Sequence, residues 1–420
     1  MADLTQASRV YLNRRVAPLL VLGFASGLPL ALTSGTLQAW ATVDGVSLQQ
    51  IGFLTLVGTA YTLKFLWAPL VDRYAPPLLG RRRGWMLLTQ VLLAIAIMAM
   101  GLMSPSQALL PLALLAVAVA FLSATQDIAF DAYCTDVLHK SERGAGAAVK
   151  VLGYRLAMIV SGGLALILAD QWLGWGHTYV LMGLLMLLCV VATLMAPEPE
   201  VPAATPRTLG RAVAEPFREF FSRRGALTLL LLIVLYKLGD AFAGALSTTF
   251  LIRGAGFSAG EVGTVNKVLG LVATIVGALA GGAIMTRWGL YRSLMGFGLL
   301  QAVSNLGYWF IAISPKSLVT MSLAVGVENL CGGLGTAAFV ALLMAMCSQQ
   351  FSATQFALLS ALSAVGRTYL AGPLTPVLVG YMGWPGFFAA TVLIAVPGLV
   401  LLWLRRQDID ALENENATST

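Results

Sequence analysis

About twelve apolar stretches, each long enough to cross a bilayer as a helix, follow one another between Val16 and Leu404. A hydrocarbon core ~30 Å thick needs roughly 20 such residues per crossing. A crossing segment must also satisfy its own backbone hydrogen bonds, which leaves the helix as the form for such runs. The stretches predict helices near 16–40, 49–72, 84–103, 107–133, 145–170, 176–196, 225–252, 260–285, 290–314, 317–345, 352–381 and 384–404. The loops between them alternate in charge. The N-terminus, 73–83, 134–144, 197–224, 286–292 and the C-terminus hold 18 Lys and Arg, and the intervening loops hold only Arg253 and Lys316. Cationic loops stay on the cytoplasmic side. Both termini are therefore predicted to be cytoplasmic, which requires an even number of crossings. The expected fold class is an all-α polytopic membrane protein with 12 transmembrane helices.

Composition closes off other classes. The chain is 58% hydrophobic and 11% charged, where soluble domains carry about 25% charged residues. The net charge of +7 sits in short clusters beside the spans, which suits anionic lipid head groups and not a continuous nucleic-acid face. The first apolar segment is too long for a cleavable signal peptide and no small-residue cleavage site follows it, so it is expected to stay as a helix. Cys134, Cys189, Cys331 and Cys347 lie in or beside spans without a CxxC pairing, and neither a disulfide framework nor a zinc site is expected. His139 falls in a cytoplasmic loop and His177 near the outer surface. No metal and no cofactor are expected, and a monomer is taken as the working state.

The longest interior polar stretch, 197–224, contains Pro197, Pro199, Pro202, Pro206 and Pro216. Its later part, Leu209 to Arg224, is predicted to form a short amphipathic helix on the cytoplasmic surface. It divides the chain into an N-terminal six-helix bundle (1–196), a cytoplasmic linker (197–224), a C-terminal six-helix bundle (225–404) and a polar cytoplasmic tail (405–420). A 6 + 6 division is typical of transporters with two pseudo-symmetric bundles. The outer loops are short, so a substrate site is expected between the bundles.

Two internal echoes support the symmetry. "APLVDRYAPPLLGRRRG" (Ala68 to Gly84) follows the second span and "GAIMTRWGLYR" (Gly282 to Arg292) stands at the equivalent place in the second half. Both resemble the loop motif of the major facilitator superfamily, which implies a cytoplasmic gate at Asp72, Arg73, Gly80, Arg81, Arg287 and Gly289. The first copy has Ala68 at the motif's Gly position and a longer insertion; the second has Thr286 at the acidic position. The other reading is that these charges only set topology. The second echo pairs "ERGAGAAVKVLGYR" (Glu142 to Arg155) with "TQFALLSALSAVGR" (Thr354 to Arg367), each with an Arg at the same offset.

Ionisable groups at membrane depth are costly, so each is a functional candidate. The bases are Lys64, Lys150, Arg155, Lys237, Lys267 and Arg367; the acids are Asp127, Asp131, Asp240 and Glu328. Two surplus cations suit an anionic substrate. Asp127 and Asp131 are four residues apart and share a helix face, and a carboxylate that exchanges a proton is what proton-coupled transport needs. Asp127, Asp131 and Glu328 are the proton-coupling candidates. The alternative is that Arg155 or Lys64 holds each Asp as a structural ion pair. Lys64, Gln126, Tyr154, Arg155, Lys237, Asp240, Lys267, Tyr61 and Arg367 are the substrate-binding candidates. Lys237 and Asp240 can pair locally. Arg155 and Arg367 suit a carboxylate clamp, and Glu328 is either a proton site or a partner for Lys267. Gly23 with Gly27, and Gly277 with Gly281, have the small-xxx-small spacing of packed helices. "SGLP" (Ser26 to Pro29) is expected to loosen the first span. Trp40, Tyr61, Trp67, Tyr154, Tyr236, Tyr308 and Trp309 either stack on sugar rings or pack the core.

"SGLPLALTSGTLQAW" (Ser26 to Trp40), "LKFLWAPLVDRY" (Leu63 to Tyr74), "LGRRRGW" (Leu79 to Trp85), "ATQDIAFDAY" (Ala124 to Tyr133) and "LGYRLAMIVSGG" (Leu152 to Gly163) closely resemble the AmpG-type muropeptide permeases of Gram-negative bacteria. The likeness is dense in the N-terminal half and thinner in the second. It implies the major facilitator fold and an inner-membrane, proton-driven importer. The implied cargo is N-acetylglucosaminyl-1,6-anhydro-N-acetylmuramic acid, with or without its stem peptide. Such import serves peptidoglycan recycling and, where the circuit exists, β-lactamase induction. Some members of that family carry further C-terminal helices; here the polar stretch 405–420 follows the twelfth span, and any role of those helices is expected to be absent. The alternative within the superfamily is an acyl-coenzyme A carrier or a drug exporter. A membrane enzyme acting on lipid-linked sugars would need an intramembrane catalytic or metal constellation, and no His is expected at membrane depth; the chain is not expected to be an enzyme.

Overall fold

A computed structural model describes residues 13–77, 79–138, 143–197, 225–347 and 352–418, with 199, 218 and 222. Apart from 218 and 222, the stretch 209–224 predicted as an amphipathic helix lies outside the described residues, as does His139. The described elements are helical, without strands. In chain order they are α1 (Pro18–Leu32), α2 (Gly35–Val43), α3 (Leu48–Leu54), α4 (Thr59–Leu63), α5 (Ala68–Arg73), α6 (Arg81–Gly101), α7 (Pro105–Val137), α8 (Arg143–Ile159), α9 (Ala165–Gln171) and α10 (Gly174–Met195). The second half adds α11 (Ala226–Ala245), α12 (Ala259–Val262), α13 (Gly270–Ser304), α14 (Leu306–Ile313), α15 (Leu318–Ala345), α16 (Ser352–Val365), α17 (Gly372–Leu404) and α18 (Arg406–Thr418).

Nine helical segments among the described residues are long and apolar enough to cross a membrane. Two of them, Ala259–Ile313 (55 residues) and Leu358–Leu404 (47 residues), have about twice the length one crossing needs. Each turns at a glycine with φ near +70°, Gly289 and Gly383, a region that L side chains rarely adopt. The segment predicted as one helix over 49–72 is three short helices, α3 to α5, joined by 3₁₀ turns at Thr55–Gly58 and Lys64–Leu66. Four spans contain π-helical segments: Val160–Leu164, Phe250–Gly254, Gly263–Leu269 and Gly366–Ala371. Such segments often mark functional positions. The stretch 405–420, expected as a polar tail, is helical from Arg406 to Thr418.

The first span departs from expectation in one detail. Helix α1 continues through Pro29, and the break comes at Thr33 and Ser34, where Ser34 has φ −128° and ψ −103°. Pro29 withholds only its own N–H, and the Pro29 carbonyl still accepts from Thr33 N and Oγ1. The chain therefore unwinds just after that turn.

The described residues form two compact units: 1–46 with 57–209, and 47–56 with 210–420. In the first, α1 packs on α8 and α6 on α10; in the second, α13 packs on α15 and α11 on α17. Glycine makes these approaches close. A Cβ at Gly23 would come 2.5 Å from the Lys150 carbonyl oxygen, and one at Gly27 2.7 Å from that of Tyr154. A Cβ at Gly277 would overlap the Leu330 carbonyl, and one at Gly333 the Thr274 carbonyl. The small-residue spacing in both halves is thus a backbone-to-backbone contact. Within the second unit, α3 packs on α17, with Gly52 against the Gly372 carbonyl.

The first unit's core includes Leu19, Leu22, Met86, Phe130 and Tyr133. The second has two clusters, one around Leu294, Phe297, Phe339 and Leu342 and one around Phe250, Tyr308, Phe387 and Phe388. Most of the aromatics considered for sugar stacking pack here. Trp40 stacks on Trp175, Tyr236 on Phe339, and Tyr308 on Phe388.

Candidate functional site

In the first unit, α7 carries Asp127 and Asp131 on one face. The Ser26 hydroxyl of α1 donates to Asp127 Oδ1 at 2.5 Å, and Lys64 Nζ stands 3.9 Å from Oδ2. Lys64 begins the second 3₁₀ turn of its broken span, so the break lies at the ammonium's own position. Asp131 is half-exposed and pairs with Lys150 on α8. The expected partners therefore divide: Lys64 faces Asp127, whereas Arg155 holds neither acid. Asp131 and Lys150 stand at equal distances either side of the 138–143 connection, which sets them opposite one another and leaves Arg155 a turn further along. Arg155 Nη1 lies 4.0 Å from Met158 Sδ and has no carboxylate partner among the described residues. Gln126 is buried with its Oε1 unpartnered. The Tyr61 hydroxyl is buried too, and Tyr154 lies within electrostatic reach of Asp127. Trp67 Nε1 donates to Thr125 Oγ1 at 3.0 Å and steadies the turn next to Lys64.

The second unit solves the same problem with amides. Lys237 Nζ reaches Asp240 Oδ2 at 3.2 Å and Thr336 Oγ1 at 3.4 Å. The amide Nε2 of Gln301 approaches two carboxylates, Asp240 Oδ1 at 2.5 Å and Glu328 Oε1 at 3.5 Å. Asn329 Nδ2 donates to Glu328 Oε2 at 2.8 Å, and Thr274 donates to Asn329 Oδ1 at 3.1 Å. Lys267 donates to Thr248 Oγ1 at 3.2 Å, not to Glu328, the partner considered from the sequence. The π-helical segment Gly263–Leu269 sets its direction. Arg367 lies in the π-helical segment Gly366–Ala371, is exposed, and stands within electrostatic reach of Glu328 and Lys267. The sequence reading missed Gln301, Thr274 and Thr248; a neutral amide inside a span has no charge to draw attention, although its cost in lipid is real.

The loop echoes are backbone echoes. Gly80 (φ 70°, ψ −172°) and Gly289 (φ 75°, ψ 173°) share one conformation at the start of equivalent helices. Arg73 and Arg287 are exposed and Arg81 is half-buried. The Asp72 side chain lies outside the described residues. The firm contacts come from Arg82 and Arg83, which belong to the same motif but were not among the expected gate residues. Arg82, 8% exposed, pairs with Asp136 at 2.9 Å. Arg83 donates to the carbonyls of Thr193 and Leu194, at the C-terminal end of α10, where a cation is favoured.

A third echo was legible and overlooked. "GVSLQQIG" (Gly45 to Gly52) and "GFSAGEVG" (Gly256 to Gly263) occupy equivalent loops of the two halves. In each, a glycine with positive φ (85° and 74°) precedes a buried apolar residue and a capping box, Ser47 with Gln50 and Ser258 with Glu261. The box satisfies two helix-end donors reciprocally. The loops are fastened by charge as well. Asp44 accepts from Ser106 N at 2.7 Å and Ser104 Oγ at 2.8 Å, which caps α7 from another loop. Lys316, one of the two cations in the loops expected on the outer side, pairs with Glu261 at 2.9 Å.

Comparison with known proteins agrees with this architecture. The family profile described as Major Facilitator Superfamily matches residues 19–368. The chain is 61% identical over 406 residues to a protein named anhydromuropeptide permease in Escherichia coli strain K12, across 97% of this chain and 82% of that one. It is 32% identical to a protein of Rickettsia felis named as an AmpG 4 transporter, across 95% and 99%. A bacterial homologue of the human lysosomal transporter Spinster superposes with a TM-score of 0.73 at 15% identity, covering 95% of this chain and 97% of that one, which speaks to the fold alone. With its three sets of internal echoes, its span-embedded charges and these likenesses, the chain belongs to the major facilitator superfamily and, within it, to the AmpG-type permeases.

Proposed function

We propose that the protein imports anhydromuropeptides (N-acetylglucosaminyl-1,6-anhydro-N-acetylmuramic acid, with or without stem peptide) across the inner membrane of a Gram-negative bacterium, driven by protons. The naming of a relative 61% identical over nearly the whole chain supports the cargo. The import serves peptidoglycan recycling and, where the host has the circuit, β-lactamase induction. Twelve crossings with both termini in the cytoplasm follow from the distribution of Lys and Arg, with the 6 + 6 bundles divided at 197–224.

The observation that carries the coupling is the Asp127 environment. A span-embedded carboxylate has one hydroxyl donor and a cation at 3.9 Å, an arrangement that protonation would release. Asp127 is the leading proton-linked group, with Glu328 and Asp131 behind it. Arg155 and Arg367, each without a carboxylate partner among the described residues, suit the muramic carboxylate, because a guanidinium fork binds that group in bidentate fashion. Lys237 with Asp240, and Lys267, complete the polar wall. Glycines 80 and 289 with the arginines beside them form the cytoplasmic gate.

The test is uptake of the labelled disaccharide into proteoliposomes, with and without an inward proton gradient. Gradient-driven accumulation is expected. Absence of uptake by folded protein under any gradient would refute the cargo, and equal uptake with and without the gradient would refute the coupling.

A further inference from the structure

A small cavity inside the second unit is walled by Tyr236, Lys237, Asp240, Gln301 and Asn305, with Gly298, Ala302, Gly335 and Ala395 making the room. It leaves ≈ 20 Å³ in which a water molecule can be centred, so it admits water, and its polar walls supply the partners a buried water needs. Two of its walls carry orphaned polar atoms. Asn305 is 0% exposed, and neither its Nδ2 nor its Oδ1 has a hydrogen-bond partner. Gln301 is 7% exposed, and its Oε1 is likewise unpartnered. An amide buried in this state has given up its hydration with nothing in return, so a native protein rarely leaves it so.

Asn305 stands at the junction of α13 and α14 with helical dihedrals (φ −59°, ψ −24°), in the middle of an apolar run, so its amide has no loop or solvent to turn to and must find its partners inside the unit. We propose that this cavity holds one ordered water, bound by Asn305, Gln301 and the Lys237–Asp240 pair, and that Asn305 thereby positions that pair. The chemistry balances. The water donates to Asn305 Oδ1 or Gln301 Oε1 and to Asp240, and accepts from Asn305 Nδ2 or Lys237. A monovalent cation would find oxygens here, but it would also face the Lys237 ammonium, whose charge opposes it.

Two measurements test this. The first is a density map of the full chain in nanodiscs, resolved to ordered waters and recorded in sodium-free and in sodium buffer. A peak about 3 Å from at least three of these groups in both buffers is expected. A cavity without density, or a peak with shorter contacts that needs sodium, overturns the proposal. The second reads the positioning role and rests on the proposed coupling, which the density does not. Asn305→Leu fills the space without hydrogen bonds, and Asn305→Ser leaves room for the water and a hydroxyl to hold it. Leu is expected to shift the pH profile of uptake by about one unit, roughly a tenfold change in proton affinity, and Ser to restore the parental profile. A parental profile in folded Asn305→Leu, or the same shift in both variants, contradicts the positioning role.

Discussion

Asp127 in the first unit and Glu328 in the second both stand inside spans, yet their neighbours differ in kind. Asp127 has a serine hydroxyl and a lysine at 3.9 Å. Glu328 has two amides, one shared with Asp240, and Arg367 within electrostatic reach, while Lys237 is engaged on Asp240 and Lys267 on Thr248. A simple ion pair is undone by one proton. A chain of amides between carboxylates is fixed by several mutually dependent hydrogen bonds, each strengthened by the low dielectric around it. Under the proposed function, the difference suggests a division of labour on a repeated backbone: proton movement in the first unit, and a stable polar wall for an anionic cargo in the second.

The strongest way to break this comparison is at the cargo's carboxylate. Arg367→Gln removes a charge-assisted bond worth about 1.5–3 kcal/mol, so the half-saturation concentration for the disaccharide is expected to rise about 10- to 100-fold, read from initial uptake rates. An unchanged half-saturation would take Arg367 out of the site. The packing of the second unit is next. Gly277→Ala places a methyl group into the Leu330 carbonyl, with an expected cost of about 2 kcal/mol, in the range for overpacked positions. Thermal unfolding in detergent reads it, and an unaltered midpoint would mean that the helices part more readily than the geometry implies.

Lys64→Met sharpens the first unit's side. It removes the charge facing Asp127 and is expected to lower gradient-driven accumulation about tenfold while leaving half-saturation near the parental value. A raised half-saturation instead would move Lys64 to the cargo. The outer loops give smaller effects. Burial alone would make Asp44 easier to protonate, but the Ser106 N–H and the Ser106 and Ser104 hydroxyls outweigh it and hold its carboxyl below the ordinary value. Its contribution is therefore present above about pH 4 and fades as pH falls through the lower folded value. Asp44→Ala is expected to cost about 1 kcal/mol near neutral pH, with the gap to the parent narrowing below pH ~4. A gap independent of pH would deny the carboxylate its role. Lys316→Met is the smallest, about 0.5 kcal/mol or less for a partly exposed pair with Glu261, and it should vanish in high salt.

Much of this was legible from residue order because lipid imposes so few solutions. The apolar runs located the helices. The glycines at 23, 27, 277 and 281 stand where α1 meets α8 and α13 meets α15, since only a hydrogen there admits the facing carbonyl. The internal breaks were less legible. Pro29 suggested an early opening, whereas the chain yields at Ser34, because a helix loses continuity where the freed groups can be re-satisfied and not at the proline itself. The π-helical segments at 263–269 and 366–371 carry no sequence mark at all, yet they aim Lys267 and Arg367. Charge drew the eye to acids and bases and away from Gln301 and Asn305, whose importance depends on burial and partners that residue order does not state. Asp131 with Lys150 was readable from their equal distance to one connection; the Gln301 bridge joins helices far apart in the chain.

The most direct test of the division of labour separates cargo movement from proton movement at Asp127. Proteoliposomes carrying Asp127→Asn would be assayed for gradient-driven accumulation and for counterflow exchange of the labelled disaccharide at equal pH on both sides. The expected result is retained exchange with accumulation lowered about 10²-fold or more, the scale of losing a proton-transfer group. Accumulation at the parental level would place the proton elsewhere and contradict the account, and loss of exchange together with accumulation would show that Asp127 serves the cargo.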